Sequence, residues 1–255
     1  MDSQFISYGP CQTPTLYFCV KRAREIENQN VTYYKIHISL KLPNNLEVEL
    51  CIDQDCESPK EAQLIKLSLE KLEYLKVKNI ITEKRNKPHP LGLNTVNLLK
   101  ISSLYLNNSP NKTMNIAQNL YMGGYITYPR TETTAYSSSF DFKNNLKYLN
   151  NYTNTNDVLD NLYENIDSIN EDGFDAGDHP PITPSRIPKK GKLSKDQLDL
   201  YDLICDYYLA SLSSDLEYAN ITYEFEIDNK TYKSTCSVID KEGFFKYFNH
   251  KIKIL

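Results

Sequence analysis

Two regions of strict apolar–polar alternation stand towards either end of this chain, with helical patterns between them, and that order limits the fold more than any other feature. The stretch YKIHISLKL puts Tyr34, Ile36, Ile38, Leu40 and Leu42 on one face, the period of a half-buried strand. Pro43-Asn44-Asn45 reads as a turn into LEVELCI, which alternates in the same way, so the pair predicts a hairpin. EYLKVKNIIT reads as a further strand. Towards the other end, NITYEFEI and TYKSTCSV flank Asp228-Asn229 and predict a second hairpin. Between these regions, Asn94 opens a helix with Leu98, Ile101 and Tyr105 on one face. Ser109-Pro110 opens another with Met114, Ala117 and Tyr121 turned inward, closed by Gly123-Gly124. Ser194 and Gln197 begin a third, bearing Leu198, Tyr201, Cys205, Tyr208 and Leu212. Strands, then helices, then strands predict an α+β chain in which a helical domain is inserted into a mainly antiparallel β domain.

Three smaller segments complete this reading. Residues 13–27 predict a helix capped by Thr13, with Pro14 at the first helical position and a stripe of Leu16, Val20, Ala23 and Ile26. Ser58-Pro59 with Glu61 has the pattern of a capping box opening a helix to about residue 72. NNLKYLNNYTNTND is rich in asparagine and is expected to be a surface insertion.

Composition excludes several classes. The 255 residues, 40% hydrophobic and 24% charged, suit one large or two smaller folded domains. No apolar run approaches the roughly 20 residues of a membrane-spanning helix, and MDSQFISYGP lacks the pattern of a secretory signal. The six cysteines are scattered, and Cys51 and Cys56 lack the second pair or histidine arm of a zinc site. Buried structural thiols in a reducing compartment are therefore expected. A net charge of −4 argues against a simple nucleic-acid-binding domain. Yet positive charge clusters locally at Lys21, Arg22 and Arg24, at Lys84, Arg85 and Lys87, and at Arg186, Lys189, Lys190 and Lys192.

Three polar clusters could carry chemistry. In GYITYPRTETTAY, residues 124–136, Pro129 holds Tyr128 out of helical geometry. Arg130 follows at a spacing that lets phenol and guanidinium share one phosphate, and Thr127, Thr131, Glu132 and Thr133 add hydroxyls and a carboxylate. A phenol titrates near pH 10, so attack on a phosphodiester needs its proton withdrawn and the developing charge met, a task a guanidinium performs bidentately. The plain alternative is packing, the fate of most of the 20 tyrosines. In DAGDHPPITPSR, residues 175–186, His179 sits on a stretch that prolines keep irregular, from which it could donate to a phosphate or move a proton. His37 falls on the polar face of a strand, His89 lies between prolines and His250 is near the end, so none competes strongly. In SYGPCQTPT, residues 7–15, Gln12, Thr13 and Thr15 lie at a helix N-terminus, whose amides favour an anion.

At these three clusters the sequence resembles the type IA DNA topoisomerases, and most resembles the eukaryotic topoisomerase III group of beta type. ISYGPCQTPTLYFCVKRAREI is similar to the segment joining that family's base to its arch. LNTVNLLKISS with MNIAQNLYMGGYITYPRTETTAY is similar to the helices leading into its active tyrosine, and DAGDHPPITP to the loop of its active-site histidine. The motifs come in the family's order. The resemblance implies residues 1–30 as the joining helix, 31–86 and 215–255 as the β-rich arch (gate), and 87–214 as the helical domain carrying the tyrosine.

It further implies Tyr128 as nucleophile, with Arg130 and His179 as its catalytic partners and Gln12, Thr13, Thr127, Thr131, Glu132, Thr183 and Arg186 as nucleic-acid contacts. The implied reaction leaves a 5′-phosphotyrosyl link, passes a strand through the gap and reseals it without ATP. Single-stranded DNA is the implied substrate, with RNA second, and an accessory protein is a further partner. The nucleus is the implied compartment, with the cytoplasm second. Magnesium is expected in the parent enzyme, held by a Toprim domain whose acidic motifs this chain lacks; no cofactor is expected within the chain. Asp53-Gln54-Asp55 has a suitable spacing but follows a hairpin strand, and reads as surface charge. Where bacterial members carry an arginine near Gly9-Pro10-Cys11-Gln12, this chain has Pro10. The competing reading is a non-catalytic clamp or scaffold for single strands.

Overall fold

The computed structural model describes residues 8–29, 32–41, 47–153, 158, 173–227 and 229–248. The chain forms two compact units, one of residues 1–81 with 222–235, the other of residues 82–221 with 236–255.

In the first unit, α1 (Gln12–Asn28) precedes an antiparallel hairpin of β1 (His37–Lys41) and β2 (Glu47–Cys51), registered from His37 opposite Cys51 to Lys41 opposite Glu47. The alternation therefore specifies the pairing as expected; the turn at Pro43-Asn44-Asn45 lies outside the described residues. Ile36, Ile52 and Cys56 pack with Phe225, Ile227 and Tyr232 in a small core, against which Ala62, Ile65 and Leu69 of α2 (Pro59–Glu70) lean. Ser58 caps α2 by accepting from the Glu61 amide, but Glu61 reaches back to the amide of Glu57 rather than Ser58, so the predicted box does not close. Asp53 accepts from the amide and hydroxyl of Thr235, and Asp55 pairs with Lys35. Both carboxylates are thus engaged in holding the fold. On α1 the expectation needs correcting. Its N-cap is Cys11, with no side-chain cap, and Leu16, Val20 and Ile26 are all exposed. An apolar stripe places a helix face but does not supply what covers it.

β3 (Val77–Lys87), β4 (Leu216–Ile227) and β5 (Lys230–Lys241) form a three-stranded sheet in the order β3-β4-β5. The β4–β5 turn passes through Asn229 in the left-handed region, φ 62°, which asparagine tolerates; Asp228 lies outside the described residues.

The second unit is built on α6 (Lys195–Ser211), whose Leu200, Tyr201, Leu203, Ile204 and Cys205 are buried among others. Ser194 and Gln197 close a full capping box there. Against α6 lie α3 (Thr95–Leu106), α4 (Pro110–Met122) and the short α7 (Phe245–Phe248). Asn94 and Ser109 cap α3 and α4. On α4, Ala117 is buried but Tyr121 is exposed, contrary to the inward position predicted for it. The asparagine-rich stretch also departs from expectation. Its first half lies in α5 (Phe142–Leu149), which buries Phe142, Leu146 and Leu149 in the main core, so that part is structural; residues 154–157 lie outside the description. Helices set between antiparallel strands make the chain α+β. Among the described residues no helix is long and apolar enough to cross a membrane.

Candidate active site

Two irregular segments of the second unit, 124–134 and 174–186, are sewn together along their length. Gly124 leaves α4 with φ +72°, a conformation that suits glycine, and the chain turns into Tyr125 and Ile126. Ile126 bridges Pro184 in antiparallel fashion. The Thr127 amide donates to the Thr183 carbonyl at 3.0 Å, and the Thr183 amide donates to the Thr127 hydroxyl at 2.9 Å. That hydroxyl in turn donates to the Pro181 carbonyl at 3.0 Å. Proline at 180, 181 and 184 offers no amide, so carbonyls and threonine groups carry this pairing.

Tyr128 follows, half-buried, between two rings. Its centroid lies 4.5 Å from that of His179, with planes tilted by 58°, and 5.1 Å from that of Tyr121, edge to face at 71°. The exposed position of Tyr121 thereby has a cause: it forms one wall beside Tyr128. Arg130 is exposed, and among the described residues no carboxylate pairs with it. An exposed, unpaired guanidinium two positions from the phenol can meet a phosphate without first breaking an ion pair.

After Arg130 the chain is pinned from both sides. On one side the Thr95 hydroxyl of α3 accepts from the Thr131 amide at 2.8 Å and lies 2.9 Å from the Pro129 carbonyl. On the other side stands Asp178. It accepts from the Glu132 amide at 2.9 Å and the Thr133 hydroxyl at 2.6 Å, and stands 3.0 Å from the Thr131 hydroxyl. The Thr133 hydroxyl, then the Glu132 amide, hold this carboxyl far below the usual carboxylate range. Asp178, Thr95 and Tyr121 were not singled out from the sequence as site residues. The signal for Asp178 was an acid beside the histidine with a hydroxyl-rich run elsewhere in need of an acceptor; Thr95 carried none.

The structure thus gathers Tyr128, Thr127, Thr131, Glu132, His179 and Thr183 into one locus. Thr131 and Thr183 are buried, at 3% and 2% exposure, and their polar groups serve the loops themselves. The side chains of Glu132 and Arg186 are exposed, and the Arg186 guanidinium lies 6.0 Å over the Tyr125 ring, within cation–π range. Gln12 and Thr13 belong to the first unit, in the first turn of α1. Their amides donate to the Gly9 carbonyl at 3.2 and 3.4 Å, and Pro14 has none, so the open N-terminal amides expected there are mostly occupied. Their side chains are exposed. Of the other histidines, His89 is held by Asp215 at 2.8 Å, His37 is exposed, and His250 lies outside the described residues. Among the described residues no cluster of three or more His, Cys, Asp or Glu could hold a metal ion. All six cysteines are free, but only Cys56 and Cys205 are buried as expected; Cys11 at the N-cap of α1 and Cys19 within it lie exposed.

Comparison with known proteins shows the family. The family model described as DNA topoisomerase matches residues 1–254. The DNA topoisomerase 3-beta of Oryza sativa subsp. japonica is 37% identical over 246 residues, 96% of this chain and 28% of that protein. DNA topoisomerase 3-beta-1 of Homo sapiens is 35% identical over 246 residues, with the same shares. Among solved structures, full-length topoisomerase I from Thermotoga maritima superposes with a TM-score of 0.62 at 24% identity, covering 95% of this chain and 40% of that one. That likeness supports the fold. The chain spans a little over a quarter, 28%, of the length of the curated relatives it matches.

Proposed function

Because the chain belongs to the type IA DNA topoisomerase family, we propose that it is the part of such an enzyme that carries the strand-cleaving tyrosine. The observation that carries this reading is Tyr128 held 4.5 Å, ring to ring, from His179, with the exposed Arg130 two positions along the chain. The phenol oxygen of Tyr128 attacks a backbone phosphorus as its proton departs. The bond from phosphorus to the 3′ oxygen breaks, that oxygen leaves as a protonated hydroxyl, and a 5′-phosphotyrosyl link remains. Arg130 meets the non-bridging oxygens as charge builds on them. His179 sits where it can donate to the same phosphate or move the proton. Reversal by the 3′-hydroxyl reseals the strand, and since the phosphodiester's energy is kept in the phosphotyrosine, no ATP is consumed.

Gln12, Thr13, Glu132 and Arg186 are the candidate contacts along the strand, while Thr127, Thr131 and Thr183 hold the segment that presents Tyr128. Residues 87–214 act as the tyrosine domain, 31–86 with 215–255 as the arch, and 1–30 as the joining helix. The magnesium expected of the parent enzyme finds no fitting set of ligands among the described residues: Asp53 and Asp55 are engaged by Thr235 and Lys35. It belongs with the Toprim half, the partner this reading requires. Single-stranded DNA is the expected substrate, with RNA second; an accessory protein is a further expected partner, and the nucleus, then the cytoplasm, the expected compartment.

The test is to combine this chain with a Toprim-containing segment, magnesium and a single-stranded oligonucleotide, then trap covalent adducts under denaturing conditions. Wild type should yield an adduct and Tyr128→Phe none. Equal trapping by Tyr128→Phe would remove the nucleophile assignment. A pure clamp would instead bind single strands in a salt-sensitive way, form no adduct, and be indifferent to Tyr128→Phe.

A further inference from the structure

We infer that Asp178 is a positioning residue that sets the register between Tyr128 and His179, by fastening the tyrosine's segment to the histidine's loop; this inference rests on the strand-cleavage reading above. Three consecutive residues downstream of Tyr128 converge on its carboxylate. The Thr133 hydroxyl donates to Oδ1 at 2.6 Å and the Glu132 amide to Oδ2 at 2.9 Å, while the Thr131 hydroxyl, its single proton directed to the His179 carbonyl, stands 3.0 Å from Oδ1. The receiving group stands one position before His179. Two further bonds tie the same loops, from the Thr131 hydroxyl to the His179 carbonyl at 2.6 Å and from the Ala176 amide to the Thr133 hydroxyl at 3.1 Å.

The donors favour a carboxylate here. Both its oxygens receive a proton, so an acceptor is needed at each end. An asparagine of the same shape would have to turn its amide nitrogen either towards the Glu132 N–H or towards the Thr133 hydroxyl, which would then have to accept where it now donates. Bonds to an ionised acceptor are also shorter and stronger than neutral ones, which suits a fastening in segments without helix or ladder support. Thr95 holds the other side of the same turn through the Thr131 amide at 2.8 Å. The turn after Tyr128 is therefore clamped between a fixed helix end and the histidine's loop, and Asp178 alone links it to the histidine through a charge. Since a misplacement of about 1 Å can cost on the order of 100-fold in rate, loosening this link should act on the chemical step while leaving strand binding in place.

The experiment is single-turnover adduct formation by this chain completed with a Toprim segment and magnesium, on a single-stranded oligonucleotide. Asp178→Asn is expected to slow adduct formation at saturating strand by on the order of 100-fold, with the affinity for the strand unchanged. Thr133→Val should slow it in the same sense, and Thr133→Ser, which keeps the hydroxyl, should restore the wild-type rate. In the chain alone, nuclear Overhauser contacts between the Tyr128 and His179 rings should be present in wild type and Thr133→Ser and lost in Asp178→Asn. A wild-type rate with Asp178→Asn, or ring contacts that survive it, overturns the inference. Should Asp178→Asn fail to fold, the threonine pair decides, and equal rates for Thr133→Val and Thr133→Ser overturn it. Tyr128→Phe is run alongside: an adduct there sinks the cleavage reading itself, whereas its absence together with a normal Asp178→Asn rate sinks only the fastening.

Discussion

Gly92 sits where the two site segments meet the start of the helical unit, its amide donating to the Thr134 carbonyl at 3.0 Å. A Cβ added there would lie 2.5 Å from that carbonyl oxygen and 2.8 and 2.9 Å from the Pro181 ring. Backbone and proline cannot give way as a flexible side chain would. Gly92→Ala is therefore expected to cost about 1–3 kcal/mol through overpacking and to lower adduct yield, because Pro181 shares the Thr127 pairing. At Gly124 an added Cβ meets nothing within 4 Å, and only the φ of +72° opposes it, so Gly124→Ala should cost about 1–2 kcal/mol through strain alone and leave the Thr127–Pro181 pairing in place. Urea unfolding of both variants checks this. A Gly92→Ala midpoint equal to wild type would show that the backbone there moves freely. At this scale Tyr128 and His179 were marked out by the family resemblance, since proline and polar neighbours predict a held, irregular backbone but leave simple packing open; the structure sets their rings 4.5 Å apart. Asp178 was not marked out, because its importance lies in partners more than forty positions away, from Thr131 to Thr133.

Among the elements, local chemistry and distant packing divide the outcomes. The α6 capping box closes, since all its atoms lie within one turn. The α2 box does not, because Glu61 had a second amide, that of Glu57, within reach. In α5 the polar majority concealed a helical spacing of Phe142, Leu146 and Leu149, all now buried. If that stretch were a solvated insertion, Leu146→Ala would be silent. Leu146 is fully buried in the main core, and such truncations typically cost about 2–5 kcal/mol. Chemical denaturation followed by tyrosine fluorescence or circular dichroism should show that loss, and a change below about 0.5 kcal/mol, the usual size for a surface substitution, would return α5 to the surface. The helix also reaches the site segment, through Asn145 Nδ2 donating to the Pro184 carbonyl at 3.1 Å.

Across the whole molecule, a net charge of −4 coexists with two carboxyls of the second unit, those of Asp178 and Asp215, that are committed to internal hydrogen bonds. Asp178 is held low by hydrogen bonds from Thr133 and Glu132. For Asp215 burial opposes ionisation, yet its bonds from His89 and Asn86 prevail and hold its carboxyl below the ordinary value as well. Depressed carboxyls contribute stability above the unfolded-state value of about 3.9, and that contribution is lost as pH falls through the lower folded-state values. Acid should therefore weaken the second unit below about pH 4, while these two groups leave it indifferent between neutrality and about pH 5. Asp178→Asn and Asp215→Asn should each start less stable at neutral pH and lose less on acidification. Urea midpoints measured against pH check the sign, and a slope in acid equal to wild type for both variants would contradict it.

What the sequence determined by itself was whatever depends on neighbours in the chain: the alternation that registers β1 on β2, the caps of α3, α4 and α6, the break at Gly123-Gly124, and the family to which the motifs point. Tertiary structure alone decided which faces are covered, leaving α1 exposed and burying α5. It also decided that Tyr121 stands against Tyr128, and that one carboxylate ties the tyrosine's segment to the histidine's loop. The reason is physical. Periodicity, capping and turn chemistry act over a few residues, whereas burial and hydrogen-bond partnership depend on which distant groups the folded chain brings within about 3 Å.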